Sequence, residues 1–397
     1  MNINDLIRTN EEEIFCASVA VERRIPKTGV IPDKLEEKVL SFYRSFMTEL
    51  SRDIENIRII CKRPDDKGRI ILFPGFFCGI GDWVLINQLM RHIKKENPDH
   101  MIAAAVCRTD GFFSVYSDIC RLNPDIDILI EIPWGSCRDF DIHGLFSAKN
   151  DYGVSPLVWA EALLLLFLKD YAVEKIYKYT SRPLLLNHKN EVKIISHAQH
   201  LLDIQKIFSE HKNIPGLQAQ ADRIALAWRT FETLDLKGHR KIMLHVKFQE
   251  DLDLFIDVFD SLAQSRDDFS VFRVGREDLN VPQRSWLCDL FNEKYDIRDV
   301  AGLLQGSDLF CGNISGPMHL AAALGKKCVT VYFREFTGLL WDPVLPGNMY
   351  RAFYKKAIGH DGLEIKSPRN YGIKNKNVKC FEQVDAGDVA VAINAFL

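Results

Sequence analysis

The feature that most constrains the fold is a regular alternation between short apolar runs and segments with helical periodicity. The run RIILFP at 69–74 has no polar alternation, which is typical of a strand covered on both faces. A helical segment over 82–95 follows, and further apolar runs at 101–107 and 126–133 predict two more strands. Strands that alternate with helices predict an α/β fold with a parallel sheet of Rossmann type.

The same pattern restarts near 234–241 and runs to the carboxyl terminus. Its predicted elements are strands at 241–248, 269–275, 308–313 and 328–333, and helices at 251–265, 282–294, 297–307 and 316–325. Helical stretches near 155–170 and 196–211 continue the first pattern, with less certain strands between them. A chain of 397 residues is too long for one ordinary core. We therefore predict two Rossmann-like domains that face a cleft, over residues 68–235 and 236–397.

Residues 1–67 are predicted to be an extension to this fold. Its firm element is a helix over 33–50, whose apolar residues recur at spacings of three and four and form the stripe of a surface helix. We expect this stripe to pack on the first domain. Dimerisation through the extension and a role in holding an acceptor stay open.

Composition argues against several classes of protein. The net charge of −3 disfavours nucleic-acid binding, and the polar, acidic start MNINDLIRTNEEE is unlike a secretory signal peptide. The longest apolar stretch, ALLLLFLKDYAV, meets a charge well before the ~20 residues that span a bilayer. Ten cysteines without a C-x-x-C pair argue against zinc and against disulfides. We therefore expect a cytoplasmic protein with no membrane helix and no metal.

The first turn that could carry chemistry is GIGDW, which follows the first strand. Gly79 and Gly81 allow a sharp turn and a close approach to a ligand. Asp82, beside a helix N-terminus, should stay ionised and could act as a general base toward a hydroxyl. Asp82 could equally be an ordinary N-cap. Trp83 could stack on a sugar face or pack in the core.

The second turn lies in DLFCGNISGPMHLAAALG, at 308–325. A strand ends near Cys311, and Ser315 or Gly316 is expected to cap the helix that follows. The first N–H groups of such a helix bind phosphate, so a departing diphosphate could be held there. His319, one turn into the helix, could bind a phosphate oxygen or serve a structural role.

These two turns together resemble the ADP-heptose:lipopolysaccharide heptosyltransferases, glycosyltransferase family nine. The stretch GIGDWVLINQLMRHIKKENPDH resembles the Gly-Asp loop and aliphatic helix of that family. The stronger match is IRDVAGLLQGSDLFCGNISGPMHLAAALGKKCVTVYF, which resembles the family's donor-binding signature almost position for position.

The resemblance implies a GT-B fold with an acceptor domain followed by a nucleotide-sugar domain. It implies inverting transfer without a metal, with Asp82 as the base, Gly79, Gly81 and Trp83 on the acceptor side, and no cofactor. The co-substrate would be a nucleoside-diphosphate-sugar, ADP-heptose by resemblance. The implied donor-binding residues are Asn313, Ser315, Gly316, Met318, His319 and Lys247.

Two departures from the family pattern bear on the donor. Ile314 stands where the family often has an aspartate, which leaves donor identity and turnover open. The family's H-P-G motif is replaced here by His245, Val246 and Lys247. The positively charged residue that the family has further along the chain is absent, and Lys247 is the candidate to replace its charge.

The leading hypothesis is an inverting, metal-independent glycosyltransferase that acts on a hydroxyl of a glycan or protein, with lipopolysaccharide biosynthesis as the implied setting. One alternative is a GT-B transferase with a different nucleotide-sugar. Another is a degenerate module that binds a nucleotide-sugar without turnover. A peripheral position at the inner membrane and the oligomeric state stay open.

Overall fold

The structure is a computed structural model in which two compact units are distinguished. The first comprises residues 1–78 and 90–199, and the second comprises residues 79–89 and 200–397. The domain boundaries predicted from the sequence stay predictions. The residues that the structure describes are 53, 55–61, 69–75, 79–108, 114–133, 164, 173–178, 191–194, 216–236, 239–290, 295–332, 345–355, 357–359, 378–381 and 384–397.

Six described strands form one sheet in the first unit. They are β1 (Arg58–Cys61), β2 (Ile70–Gly75), β3 (Met101–Arg108), β4 (Ile128–Pro133), β5 (Val173–Lys178) and β6 (Glu191–Ile194). Their order is β1-β4-β3-β2-β5-β6, and every pair is parallel except β1 with β4. Without the edge strand β1, this is the 3-2-1-4-5 order of a doubly wound sheet. The strands predicted at 69–74, 101–107 and 126–133 are confirmed.

Burial explains why β2 lacks an alternating pattern. All six of its residues are buried, and Phe73 stacks on Tyr177 of β5 with ring centroids 5.0 Å apart. Helix α1 (Ile80–Glu96) follows β2, and helix α2 (Ser114–Arg121) follows β3. Residues 79–89, which include the first part of α1, are grouped with the second unit. The helix predicted over 82–95 is confirmed.

A second six-stranded sheet occupies the second unit. Its strands are β7 (Arg240–His245), β8 (Phe269–Arg273), β9 (Leu287–Asp289), β10 (Leu309–Gly312), β11 (Lys327–Tyr332) and β12 (Tyr350–Tyr354). All pairs are parallel, in the order β12-β11-β10-β7-β8-β9. Counted from β7, this is the 3-2-1-4-5-6 order of a Rossmann fold. The strand order reverses between β7 and β10, where ligands of such sheets bind.

Helices flank this sheet, and a short antiparallel pair lies apart from it. The helices are α3 (Ala221–Thr233), α4 (Gln249–Ala263), α5 (Ile297–Gly306), α6 (Gly316–Ala323) and α7 (Ala386–Phe396), and the pair is β13 (Ala357–Gly359) with β14 (Val378–Phe381). Part of the core is aromatic, because Phe259 lies within 6.2 Å of the rings of Phe255, Phe269 and Trp286. Two α/β units with parallel sheets confirm the predicted fold class.

The helix predicted over 282–294 is wrong. Residues 287–289 form the edge strand β9, which pairs with β8. Trp286 is buried, and its carbonyl oxygen accepts a hydrogen bond of 2.7 Å from the N–H of Val271. The apolar spacing imitates a helix, but a free sheet edge beside β8 offers the backbone partners that make a strand the better solution.

Several predicted helices lie outside the described residues. These are the helix over 33–50 and the helical patterns near 155–170, of which only Leu164 is described, and near 196–211. Within the described ranges, no helix combines the length and the apolar character that crossing a membrane requires.

Candidate functional site

The ends of β7 and β10 lie side by side at the switch point of the second sheet. Gly312 is opposite His245 in the register, and a Cβ atom at position 312 would lie only 2.0 Å from the His245 carbonyl oxygen. Gly312 also has a φ of 150°, which side chains rarely allow. The N–H of Asn313 donates to the same carbonyl over 3.1 Å. Only glycine therefore fits where the chain leaves β10 toward α6.

The turn after Gly312 ends at a capped helix N-terminus. Ser315 is the N-cap, and its hydroxyl accepts a hydrogen bond of 3.3 Å from the N–H of Met318. Pro317 stands in the first turn of α6, as expected, and the Met318 side chain is buried against the hydroxyl of Tyr332. Pro317 has no N–H, and the N–H groups of Met318 and His319 donate to the hydroxyl and the carbonyl oxygen of Ser315, so an anion here would be bound by the Gly316 N–H and favoured by the helix dipole. This end of α6 is suited to bind a phosphate.

His319 lies one turn into α6 and is 2% exposed. Burial lowers its pKa to about 4, and the charge of Lys247 acts in the same direction. Its Nδ1 atom has no hydrogen-bond partner among the described residues. His319 is therefore a neutral imidazole near pH 7, with one ring nitrogen available for a ligand.

His245, at the end of β7, is a second buried imidazole at the same edge of the sheet. Burial is the main cause that lowers its pKa to about 4, while the carboxylate of Glu277 opposes the shift. Within the described ranges, its Nδ1 atom also has no partner. The exposed Lys247 influences both histidines, so one ammonium and two imidazoles lie close together. Sequence reasoning did not select His245, although its place two residues before Lys247 was a usable signal.

The side chain of Asn313 is engaged within the protein. Its Oδ1 accepts a hydrogen bond of 3.0 Å from the N–H of Lys247. Its Nδ2 donates to the Asp251 carboxylate over 3.0 Å and to the Val331 carbonyl over 3.2 Å. Asn313 therefore connects Lys247 to the turn before α6. The predicted donor-binding residues that lie at or beside this turn are Asn313, Ser315, Gly316, Met318, His319 and Lys247.

Asp82 lies in the first turn of α1 and is 5% exposed. Its Oδ2 accepts a hydrogen bond of 2.7 Å from the N–H of Gly79. The helix begins at Ile80, so Gly79 is the N-cap and Asp82 is the third helical residue, as in one half of a capping box. The alternative that Asp82 is the N-cap itself is wrong. Trp83 is fully buried, which fits the packing alternative.

The two glycine turns are in direct contact within the second unit. A Cβ atom on Gly81 would lie 2.5 Å from Cδ2 and 3.1 Å from Nε2 of His319. A Cβ atom on Gly316 would lie 2.5 Å from Cγ2 of Ile80. The backbone of each turn thus packs on a side chain of the other. The turn that carries Asp82 and the N-terminus of α6 are therefore neighbours.

Comparison with known proteins points to one family. Residues 278–339 match the sequence model of glycosyltransferase family 9 (heptosyltransferase). The resemblance to glycosyltransferase family nine is confirmed. The match spans α5, β10, α6 and β11, and therefore the whole turn from Gly312 to His319. No curated protein sequence matches the chain.

Solved structures of family nine share the fold of this chain. A glycosyl transferase family 9 protein from Veillonella parvula superposes with a TM-score of 0.54 at 13% identity, over 83% of this chain and 97% of that one. E. coli ADP-heptose lps heptosyltransferase II gives a TM-score of 0.52 at 14% identity, over 83% and 98%. The likeness covers 83% of this chain and nearly the whole length of the two solved structures, and it supports the GT-B fold.

Against the family nine pattern, Ile314 lies half-buried between Asn313 and the N-cap Ser315. No carboxylate stands at this position, so the turn carries no negative charge beside the helix N-terminus. Across the described ranges, no group of three or more His, Cys, Asp or Glu residues is placed to hold a metal ion.

Proposed function

We propose that this chain is a glycosyltransferase that moves a sugar from a nucleoside-diphosphate-sugar to an acceptor hydroxyl, with inversion and without a metal. Two findings support the proposal. The segment 278–339 matches glycosyltransferase family nine, and the fold is that of solved members of that family. The geometry of the two turns supports the roles proposed below.

Asp82 is the proposed general base. Its Oδ2 is held by the N–H of Gly79, and its place in the first turn of α1 favours the ionised form. The acceptor hydroxyl loses its proton to Asp82 as its oxygen bonds to the anomeric carbon. The bond from that carbon to the diphosphate oxygen breaks at the same time, and its electron pair leaves with the diphosphate. Attack from the face opposite the leaving group inverts the carbon.

The α6 N-terminus is the proposed site of the leaving diphosphate. The Gly316 N–H and the helix dipole lie where negative charge develops, and fixed dipoles of this kind usually contribute most to the stabilisation of such a transition state. The neutral His319 can donate a hydrogen bond to a phosphate oxygen, and the Lys247 ammonium adds positive charge near it. His245 offers a second neutral imidazole at the same edge.

One observation carries the proposal, namely the contact between Gly81 and His319. A base and a leaving-group site must flank one anomeric carbon, so they must lie within a few ångströms of each other. Asp82 follows Gly81 directly, and His319 belongs to the phosphate-binding turn. This contact places side by side two turns that are far apart in the sequence.

The donor, the acceptor and the location are further parts of the proposal. The name of E. coli ADP-heptose lps heptosyltransferase II states its donor, ADP-heptose, and its acceptor, lipopolysaccharide. We extend the donor class, ADP-heptose, to this chain. We propose a glycan or protein hydroxyl as the acceptor, with lipopolysaccharide core among the glycans. A cytoplasmic location fits ten cysteines without C-x-x-C spacing.

A transferase with a different nucleotide-sugar is the second candidate, and Ile314 favours it. An aliphatic side chain next to the N-cap cannot accept a hydrogen bond from a sugar hydroxyl, so a donor that needs this contact would bind weakly. A non-catalytic binding module would keep the α6 turn and lack transfer.

A thermal-shift screen tests the donor site. ADP-heptose, ADP, UDP and UDP-glucose are each added at about 100 times their expected Kd, which stabilises a binding protein by about 2.7 kcal/mol. At least one nucleotide should raise the melting temperature, and Ser315→Ala with His319→Ala should abolish the rise. The absence of any shift in the wild-type protein would contradict the proposal.

A further inference from the structure

We propose that Asp251 is a positioning residue of the donor site, which fixes the Asn313 amide and through it the place of Lys247 beside the α6 turn. The inference rests on the proposed function, since it concerns the same site. Asp251 belongs to no motif of the sequence and lies on α4, outside the two turns.

The Asp251 carboxylate is 1% exposed and uses both oxygens. Its Oδ1 accepts a hydrogen bond from the Lys355 ammonium, which is also buried. Its Oδ2 accepts the 3.0 Å bond from Nδ2 of Asn313. Lys355 directly follows β12, and its own N–H donates to the carbonyl of Tyr332 at the end of β11. The carboxylate therefore links α4 to the residues that follow two strands, β10 and β12, and Lys355 in turn bonds to the end of β11.

This arrangement sets which way the Asn313 amide points. A carboxylate and a backbone carbonyl accept hydrogen bonds and cannot donate them, so Asp251 and the Val331 carbonyl both require the NH₂ group on their side. The amide oxygen is left facing the N–H of Lys247, which it accepts at 3.0 Å. A reversed amide would place two donors against each other at Lys247 and two acceptors against each other at Asp251.

The orientation matters because Asn313 is the direct link between the chain after β7 and the chain after β10. Its backbone N–H holds the His245 carbonyl, and its side chain holds the N–H of Lys247. Both bonds fix the segment that carries the Lys247 ammonium near His319. Loss of the amide orientation should let this segment move away from the α6 N-terminus and weaken the grip on a diphosphate.

Stability alone does not require this ion pair. Replacing a buried pair by apolar residues of similar volume is often neutral or stabilising, whereas removing one partner is strongly destabilising. Asp251→Leu with Lys355→Met therefore separates folding from positioning. The double variant removes both charges, keeps unbranched and branched side chains of similar length at the two positions, and leaves the Asn313 amide without its acceptor at position 251.

The experiment measures ADP and UDP affinity by titration calorimetry well below the melting temperature of each protein. We expect the double variant D251L/K355M to melt within a few degrees of wild type yet to bind nucleotide about twofold to thirtyfold more weakly, the range of coupling along such contacts. Lys355→Arg, which keeps the charge pair, should retain wild-type affinity. In a Lys247→Met background the loss should shrink, because the effect acts through Lys247.

Asp299→Asn is the matched control. Asp299 lies on a helix of the same unit, its carboxylate is buried, and its Oδ1 is 2.6 Å from Nη1 of Arg223. It should lower stability without a change in affinity. Unchanged nucleotide affinity in D251L/K355M would overturn the positioning role and leave the proposed function intact. Absence of nucleotide binding to the wild-type protein would overturn both.

Discussion

The imidazole of His319 lies directly against the backbone of Gly81, so closely that a Cβ atom there would be 2.5 Å from Cδ2 of the ring. Gly81 precedes Asp82, and His319 belongs to the turn suited to phosphate. The contact sets the distance between the proposed base and the proposed leaving-group site. Gly81 is thus required by its packing on His319, the proposed phosphate-binding residue, beyond any need of the turn itself.

Gly81→Ala should displace the His319 ring or the start of α1. We expect a loss of about 1–3 kcal/mol in the free energy of unfolding, as in other overpacked sites, and a larger loss of transfer activity than stability alone explains. Gly347→Ala is the control, because a Cβ atom there meets no atom within 4 Å. Urea unfolding and a transfer assay check both variants. An active Gly81→Ala protein with wild-type stability would contradict the packing.

Gly316→Ala should weaken nucleotide binding by a related route. Its Cβ atom would lie 2.5 Å from Cγ2 of Ile80, at the first residue of α6. Shortening Ile80 to alanine removes that methyl group, so the double variant I80A/G316A should recover part of the affinity. Titration with ADP measures the recovery. If the loss of affinity in the double variant equals the sum of the losses in the two single variants, the side chains at positions 80 and 316 do not contact each other.

The stability of the protein should fall as the pH is lowered from about 6.5 toward 4. His319 and His245 both have folded pKa values lowered from 6.5 to about 4, chiefly by burial. In this window the unfolded chain binds more protons than the folded protein, so the free energy of unfolding rises with pH. At 1.36 kcal/mol per pKa unit, each histidine contributes about 3 kcal/mol, which is fully present above pH 7 and lost near pH 4.

His319→Gln tests the assignment, because glutamine does not titrate in this range. Urea unfolding between pH 4 and pH 7 should show a smaller drop in stability for this variant than for the wild-type protein. Equal drops in both proteins would mean that the pKa of His319 does not differ between the folded and unfolded states.

Asp289→Asn should destabilise the second unit. Arg273 is 1% exposed and donates from Nε and Nη2 to the two oxygens of Asp289, at 2.9 and 3.0 Å. Removing one partner of a buried pair costs about 3–5 kcal/mol, and we expect about 2 kcal/mol here because the Asp289 side chain is 31% exposed. Arg273→Met with Asp289→Asn should cost less than Asp289→Asn alone. Guanidinium unfolding of the single and double variants measures the difference.

The turn from Gly312 to His319 could be predicted from the sequence because its signals are local. A buried apolar run, a glycine, a serine cap and a first-turn proline occur within nine residues. In that order they predict a strand, a turn and the start of a helix. The same locality made seven strands of the two sheets predictable from their apolar runs, namely β2, β3, β4, β7, β8, β10 and β11.

Long-range contacts explain what the sequence did not show. Asp251 and Lys355 are 104 positions apart, and nothing near either residue marks them as partners. The strand β9 reads as a helix because its strand partner is supplied by β8. Asp82 reads as an N-cap until the helix is seen to begin at Ile80, two residues earlier.

Asp82→Asn, compared with Asp299→Asn, tests the central claim most directly. Both aspartates are buried third residues of a helix and accept the N–H of the N-cap residue, from Gly79 at 2.7 Å and from Asp296 at 3.0 Å. Both substitutions therefore remove a carboxylate with this capping role, and Asp299→Asn also removes the partner of Arg223, but only Asp82 lies beside the His319 turn. We predict that Asp82→Asn keeps nucleotide-sugar binding and loses about a hundredfold or more in the rate of sugar transfer, the scale of general-base catalysis. Asp299→Asn should keep the rate. Full transfer activity in the Asp82→Asn protein would contradict the account.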